Sequence, residues 1–430
     1  MSNEQKKTKN DIAWETLFEK YQILEQVSKH GLFEIDSSTI NQERESRLMA
    51  KFDHYVNLPA IFKENKLSIL PISRSRYVIG NFDTHLKVEY DNNIEEISVD
   101  FPEHIESIDY SNLYSENSAL NCAFNAGVIG DLVDEPVSYT ISGRMSTGNF
   151  SFSIKNLVTG TSTINVKNSQ CEIDAGFESE NYLIIVEAKN YAVDDFLIRQ
   201  LYYPYRLWSS KVSKQVVPVL MTYSNDVFSF FIYKFKNDYD YNSAFLLKQQ
   251  NYVIDSEQIQ LSDVNDIFGQ LKLMAETTDI PFPQADSFER IIDLLSLLFE
   301  KDLTKDEITE NYQFDVRQTQ YYTDACRYIG LVNKNKNYST KEKFFSLTDE
   351  GKNILKKRHQ LKYLELIKKI LEKQIFYKVF ELAVNTGEIP SKQEVCQLMS
   401  ASNLGINETT IKRRSTTVRN WINWIWSQID

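Results

Sequence analysis

The stretch "EIDAGFESENYLIIVEAKN", residues 172–190, decides how this chain is read. Its middle, Tyr182–Val186, is a short continuous apolar run, the pattern of a strand covered on both faces. The run ends in Glu187, Ala188 and Lys189. A strand built for a dry core therefore finishes with a carboxylate and an ammonium. Residues i and i+2 of a strand share a face, so Glu187 and Lys189 project into one space while Val186 and Ala188 point to the other side. The preceding apolar stretch carries Asp174 near its end. If the two strands pair, Asp174 and Glu187 meet. Two carboxylates at hydrogen-bonding range repel unless a proton or a cation lies between them. A hard divalent cation takes its oxygens from one or two carboxylates, water and phosphate. A lysine beside a phosphate stabilises developing charge or orients an attacking water.

The tripeptide pattern E-x-K is not specific by itself. It occurs at Glu4, Glu64, Glu187 and Glu350. Only Glu187 closes a strongly apolar strand with an Asp on the stretch before it. The alternative for this pair is a salt bridge at the mouth of a sheet.

Around this stretch the pattern is helix, four strands, helix, two strands. Ser115 is placed to cap the first helix, Ser115–Leu132, whose Leu120, Phe124, Val128 and Leu132 share a face. The second helix is expected over Val193–Ser210. The apolar runs "YLIIV" and "VVPVL" predict a mixed α/β sheet.

Four units are expected: 1–110, α+β with possible DNA contacts; 111–255, the unit with the charged strand end; 286–358; and 359–430. The third reads helix, helix, helix, polar hairpin, helix, the layout of a winged helix-turn-helix. Thr304 with Glu307 forms a capping box there, and the third helix is expected to bury Val316, Tyr321, Ala325 and Tyr328 or Ile329. The fourth is helical and helix-turn-helix-like, with a second capping box at Ser391 and Glu394.

The chain has 430 residues and a net charge of −12, but the charge is uneven. Residues 351–430 hold 14 Lys and Arg against 7 Asp and Glu. A locally basic part can bind phosphates in an acidic chain. The four cysteines, Cys122, Cys171, Cys326 and Cys396, are dispersed, which argues against a zinc ribbon or a disulfide framework. There is no glycine-rich phosphate loop, so no nucleotide cofactor is expected. No apolar run is long enough to cross a membrane and the N-terminus lacks a signal-peptide core, so a cytoplasmic location is expected.

Asp174, Glu187 and Lys189, on two adjacent strands within this order of elements, resemble the PD-(D/E)xK nuclease superfamily. Phrases such as "RESRLMAKFDHYVNLP" and "IRQLYYPYR" look like bacterial type II restriction endonucleases with an added winged helix. The resemblance implies a restriction-endonuclease-like core in which Asp174 and Glu187 bind Mg²⁺, with Mn²⁺ as a substitute, and Lys189 acts on water or the transition state. It adds Glu116 from the first helix to the metal site, although a helix-start carboxylate favoured by the dipole is an equal reading. It adds Gln200, near Tyr203 and Tyr205, as a polar residue facing the site. Ile173 stands where the family often has proline, and Pro204 where one branch has tyrosine.

The implied activity is site-specific hydrolysis of double-stranded DNA by a homodimer that cuts both strands. Arg317, Gln318, Thr319, Gln320 and Tyr322 are expected to lead a recognition helix into the major groove. The lysine-bearing hairpin Asn333–Lys343 and the cluster Lys412, Arg413, Arg414 and Arg419 are expected on phosphates. Trp421, Trp424 and Trp426 are read as core. Two other functions stay open: a non-catalytic winged-helix DNA-binding regulator, and a structure-specific or RNA nuclease of the same fold.

Overall fold

The computed structural model describes residues 7–91, 93–254, 258–274, 276, 279–337, 339, 341–402 and 404–429. Tyr338 and Thr340, at the tip of the expected polar hairpin, lie outside the described residues.

The N-terminal part packs helices Lys9–Lys20 and Ile23–His30 against a small antiparallel sheet. Its strands are β1 (Leu32–Asp36), β2 (Ser68–Pro71) and β3 (Arg76–Gly80), in the order β1-β3-β2. The short strand β4 (His85–Lys87) follows.

The centre is a mixed seven-stranded sheet. In chain order its strands are β5 (Glu96–Val99), β6 (Ser138–Ser146), β9 (Gln170–Glu178), β10 (Tyr182–Lys189), β12 (Gln215–Ser224), β13 (Val227–Phe235) and β14 (Ala244–Ile254). Between β6 and β9 a separate ribbon stands out, β7 (Asn149–Asn156) paired with β8 (Gly160–Lys167). The spatial order is β5-β14-β13-β12-β10-β9-β6. β10 runs parallel to β12 and antiparallel to β9. Helix Arg199–Ser209 makes the crossover between β10 and β12.

Alternation along β10 assigns the two faces. Ile184, Val186 and Ala188 pack with Ala119, Leu120 and Ala123 of helix Glu116–Asn125. Leu183 and Ile185 pack on the opposite side, with Trp208 of the crossover helix at the edge of that cluster. The sheet is thus covered on both faces, as its continuous apolar runs predict. Helices here are shorter than the periodicity predicts. The first ends before Gly127, whose φ of 81° is a left-handed conformation suited to glycine. The second begins only at Arg199, because Asp195–Leu197 forms the strand β11, paired with β4.

The C-terminal part opens with helices Phe288–Glu300, Lys305–Asn311 and Val316–Tyr328. A three-stranded sheet follows from β15 (Leu303–Thr304), β16 (Val332–Lys336) and β17 (Lys343–Leu347), in the order β15-β17-β16. The capping boxes at Thr304/Glu307 and Ser391/Glu394 are both formed. Helix Glu408–Ser427 closes the chain with Trp421 and Trp424 buried and Trp426 half-buried. Residues 286–358 and 359–430 share one apolar core, which also reaches Leu220, Phe231 and Tyr233 on the central sheet.

The backbone after Lys189 is held from both sides. Ala192 N–H donates to Asp293 Oδ2 at 3.1 Å and Asp194 N–H to Gln313 Oε1 at 2.7 Å, both acceptors C-terminal. From the N-terminal side, His54 Nδ1 donates to the Asp195 carbonyl at 2.7 Å and its Nε2 accepts from the Tyr191 hydroxyl at 2.9 Å. All four cysteines are free, and Cys122, Cys171 and Cys326 are buried. Among the described residues no helix is long and apolar enough to cross a membrane.

Candidate active site

β9 and β10 pair with Ala175 opposite Val186. The next rung sets Asp174 beside Glu187. There the ladder is replaced by a side-chain bond, in which Asp174 Oδ2 accepts from the Ala188 amide at 2.8 Å. Lys189 Nζ lies 2.6 Å from Glu187 Oε1. Glu187 is only 7% exposed and Lys189 5%, so this is a buried pair and not a surface salt bridge. Gln200, in the first turn of the crossover helix, donates its amide to the same Glu187 oxygen. Glu116 enters from the capped N-terminus of its helix, where Ser115 accepts from the Ser118 amide.

These side chains line one cleft of about 430 Å³. Burial, with Asp174 as a like-charged neighbour, pushes Glu187 up to about 7 even though Lys189 opposes it. Burial also raises Asp174 and Glu116, each opposed by Lys189. Burial works to lower Lys189, but Glu187, Glu116 and Asp53 outweigh it and hold the group charged. A lysine kept as an ammonium suits charge stabilisation and does not suit abstraction of a proton from water.

Lys51 and Asp53 are not among the site residues expected from the sequence. Both line the cleft from the N-terminal part. Burial works against the Asp53 charge, yet Lys51, Lys189, His54 and Arg199 together hold its carboxyl down at about 2. Lys301, Asn311 and Tyr312 close the cleft from the C-terminal part. No local pattern marks Asp53; its neighbour His54, buried and bonded to the backbone after Lys189, is what fixes it.

The donor chemistry fits a hard divalent cation. Five carboxylates, Asp53, Glu116, Glu172, Asp174 and Glu187, line the cleft, and Gln200 Oε1 and Asp53 Oδ1 are buried oxygens without a hydrogen-bond partner. The set is nevertheless not closed: among the described residues no three Asp, Glu, His or Cys side chains are grouped to hold a metal ion. At Glu187, Lys189 and Gln200 already occupy Oε1.

The expected DNA-contacting residues are divided. Arg317, Lys412, Arg413 and Arg419 are exposed. Thr319 and Tyr322 are not: Thr319 is fully buried and bonds Thr309 Oγ1 at 2.8 Å, and Tyr322 packs on Phe314 and under Arg290. Gln318 completes the helix cap with Asp315, and Gln320 donates to Asp324. Ala325, Tyr328 and Ile329 are buried as expected, but Val316 and Tyr321 are only half-buried, and Thr319, Tyr322, Thr323 and Cys326 are buried beside them. The buried face is thus wider than expected, and the two threonines are acceptable there because their hydroxyls satisfy themselves on the preceding turn. Arg414 is half-buried, with Nε and one Nη lacking partners.

Three family models match the chain, in series: Domain of unknown function (DUF6996) over residues 11–79, Domain of unknown function (DUF6997) over 80–253, and Domain of unknown function (DUF7226) over 290–430. No curated protein and no solved structure matches. The cleft draws on all three matched regions, with Lys51 and Asp53 from the first, Glu116, Asp174, Glu187, Lys189 and Gln200 from the second, and Lys301, Asn311 and Tyr312 from the third.

Proposed function

We propose that this chain is a Mg²⁺-dependent endonuclease of double-stranded DNA, of the PD-(D/E)xK type and with the site specificity of a type II restriction enzyme. One observation carries the reading: Asp174 and Glu187 on paired strands, with Lys189 two residues on and Gln200 on the same carboxylate, inside one buried cleft. Asp174 and Glu187 would hold the cation, with Glu116 and the free oxygen of Gln200 at its margin. A Mg²⁺, or Mn²⁺ in its place, held by these residues would lower the pKa of water and neutralise phosphate charge. Lys189 is the group that meets the phosphate, donating to the oxygen that gains charge as the phosphodiester is attacked.

The three helices and the β15-β17-β16 sheet support a winged-helix reading of the C-terminal part. Arg317 heads its exposed helix face, and Lys412 and Arg413 lie on the last helix, where they suit DNA phosphates. Two copies of the chain would place one cleft on each strand.

The test is digestion of unmethylated and methylated phage DNA with Mg²⁺ and with EDTA. Discrete fragments with Mg²⁺ alone, lost in Lys189→Ala, are expected. A non-catalytic DNA-binding regulator is the second reading, favoured by the closed Lys189–Glu187 pair. It predicts binding without cleavage under either metal.

A further inference from the structure

The chain has 60 acidic residues in 430, about one in seven, yet none falls in the 36 positions from Pro136 to Cys171. The same span holds Arg144, Lys155 and Lys167. It builds the edge strand β6 and the whole β7–β8 ribbon. Depletion of one charge sign over a continuous structural unit, in a chain of net charge −12, calls for a reason in what that unit faces.

The ribbon is two-sided. Its inner residues Phe152, Ile154, Ile164 and Val166 are buried against Tyr202 and Tyr203 of the helix that carries Gln200. Its outer face is set by strand alternation and includes three rungs: Asn149 opposite Lys167, Ser151 opposite Asn165, Lys155 opposite Thr161. All six are exposed, and all are amides, hydroxyls or lysines. Ser151 Oγ and Asn165 Oδ1 lie 2.9 Å apart across one rung, while Lys155 shares Asp83 at 2.9 Å. The base of the ribbon leads straight into the cleft, since Arg144, Cys171 and Glu172 on the adjoining strands line it.

We infer that the outer face of the β7–β8 ribbon enters a groove of duplex DNA beside the cleft and contacts base edges and phosphates there. This rests on the nuclease reading above and gives it a second contact element beside the cleft. The major groove of B-DNA admits a two-stranded β-ribbon, and amides and hydroxyls on alternate positions match its donors and acceptors. The ribbon itself carries no carboxylate to repel phosphates beside the groove, and the Asp83 carboxylate next to it is paired with Lys155. The rigid aromatic backing fixes the face relative to Gln200, so a base contact there sets the position of the phosphate in the cleft.

The experiment measures binding of a fluorescent mixed-sequence duplex by anisotropy in EDTA, so that cleavage plays no part. Asn165→Glu combined with Ser151→Glu is expected to weaken binding by about tenfold or more, because two charges are placed against phosphates. Asn165→Arg is expected to tighten it, a gain that a misfolded variant cannot show. Equal affinity of all three proteins for the duplex overturns the ribbon inference alone. Absence of duplex binding by the wild-type chain, at low salt, overturns the nuclease reading and the ribbon with it.

Discussion

The strand end at Glu187 and the helix Val316–Tyr328 are both regions where a sequence pattern points to a function, and they behave differently. On β10 the pattern needs only a binary choice, one face or the other, and the apolar run on either side fixes it. On the helix the choice is an angle. Threonines and tyrosines occupy most of the circumference, so a shift of one position, about 100° around the axis, moves a residue from groove to core. The paired strands therefore deliver the expected side chains to one cleft, while the helix turns two of its five expected base readers inward.

Substitutions can break this comparison. The largest effect is expected at the strand end. Lys189→Ala should lower the rate of DNA cleavage by about a thousandfold or more, the scale of losing a charge-stabilising group at a reacting centre. Single-turnover cleavage with Mg²⁺ measures it, and a variant as fast as wild type removes Lys189 from the chemistry. Next comes Tyr322→Ala. As a base reader it would leave stability unchanged; as a core residue it should cost about 4 kcal/mol, read from urea unfolding.

A third test concerns the tie between the central sheet and the C-terminal part. Asp226, at the β12–β13 turn, accepts from His359 Nδ1 and Lys362 Nζ, both at 2.7 Å, and ties the sheet to helix His359–Leu371. Burial opposes its charge, but Lys362 and His359 prevail and hold the carboxyl well below the ordinary value of 3.8. A depressed carboxylate stabilises the fold above its unfolded pKa and loses that contribution as pH falls through its folded one. Thermal unfolding of the wild type should therefore drop steeply below about pH 4, and Asp226→Asn should flatten that slope while costing about 3 kcal/mol at neutral pH, since Lys362 is left buried without its partner. An unchanged slope would show that Asp226 does not carry the linkage. The smallest stability effect is expected at exposed Arg317, where alanine should shift unfolding by less than about 0.5 kcal/mol. If it reads a base, duplex affinity should still fall by roughly tenfold.

What the sequence makes legible follows from distance along the chain. Asp174 and Glu187 are thirteen residues apart on neighbouring strands, and capping boxes span four residues; such features need only local chemistry. The mixed sheet is legible for the same reason, through its apolar runs. Asp53 is more than a hundred residues from Lys189, and what brings it there is the bonding of His54 to Asp195 and Tyr191, which no local spacing encodes. The split of the first helix is visible in Gly127, but the strand Asp195–Leu197 is not, because its partner His85–Lys87 is also remote.

The five-residue connection after Lys189 has a practical meaning for anyone recombining such proteins. Its backbone is gripped by a carboxylate and an amide from one flank, while from the other an imidazole holds the Tyr191 hydroxyl and the Asp195 carbonyl that follows. A chimera that imports a foreign C-terminal half must bring an acceptor at each of the positions of Asp293 and Gln313, or the peptide that sets Lys189 in place loses its anchors.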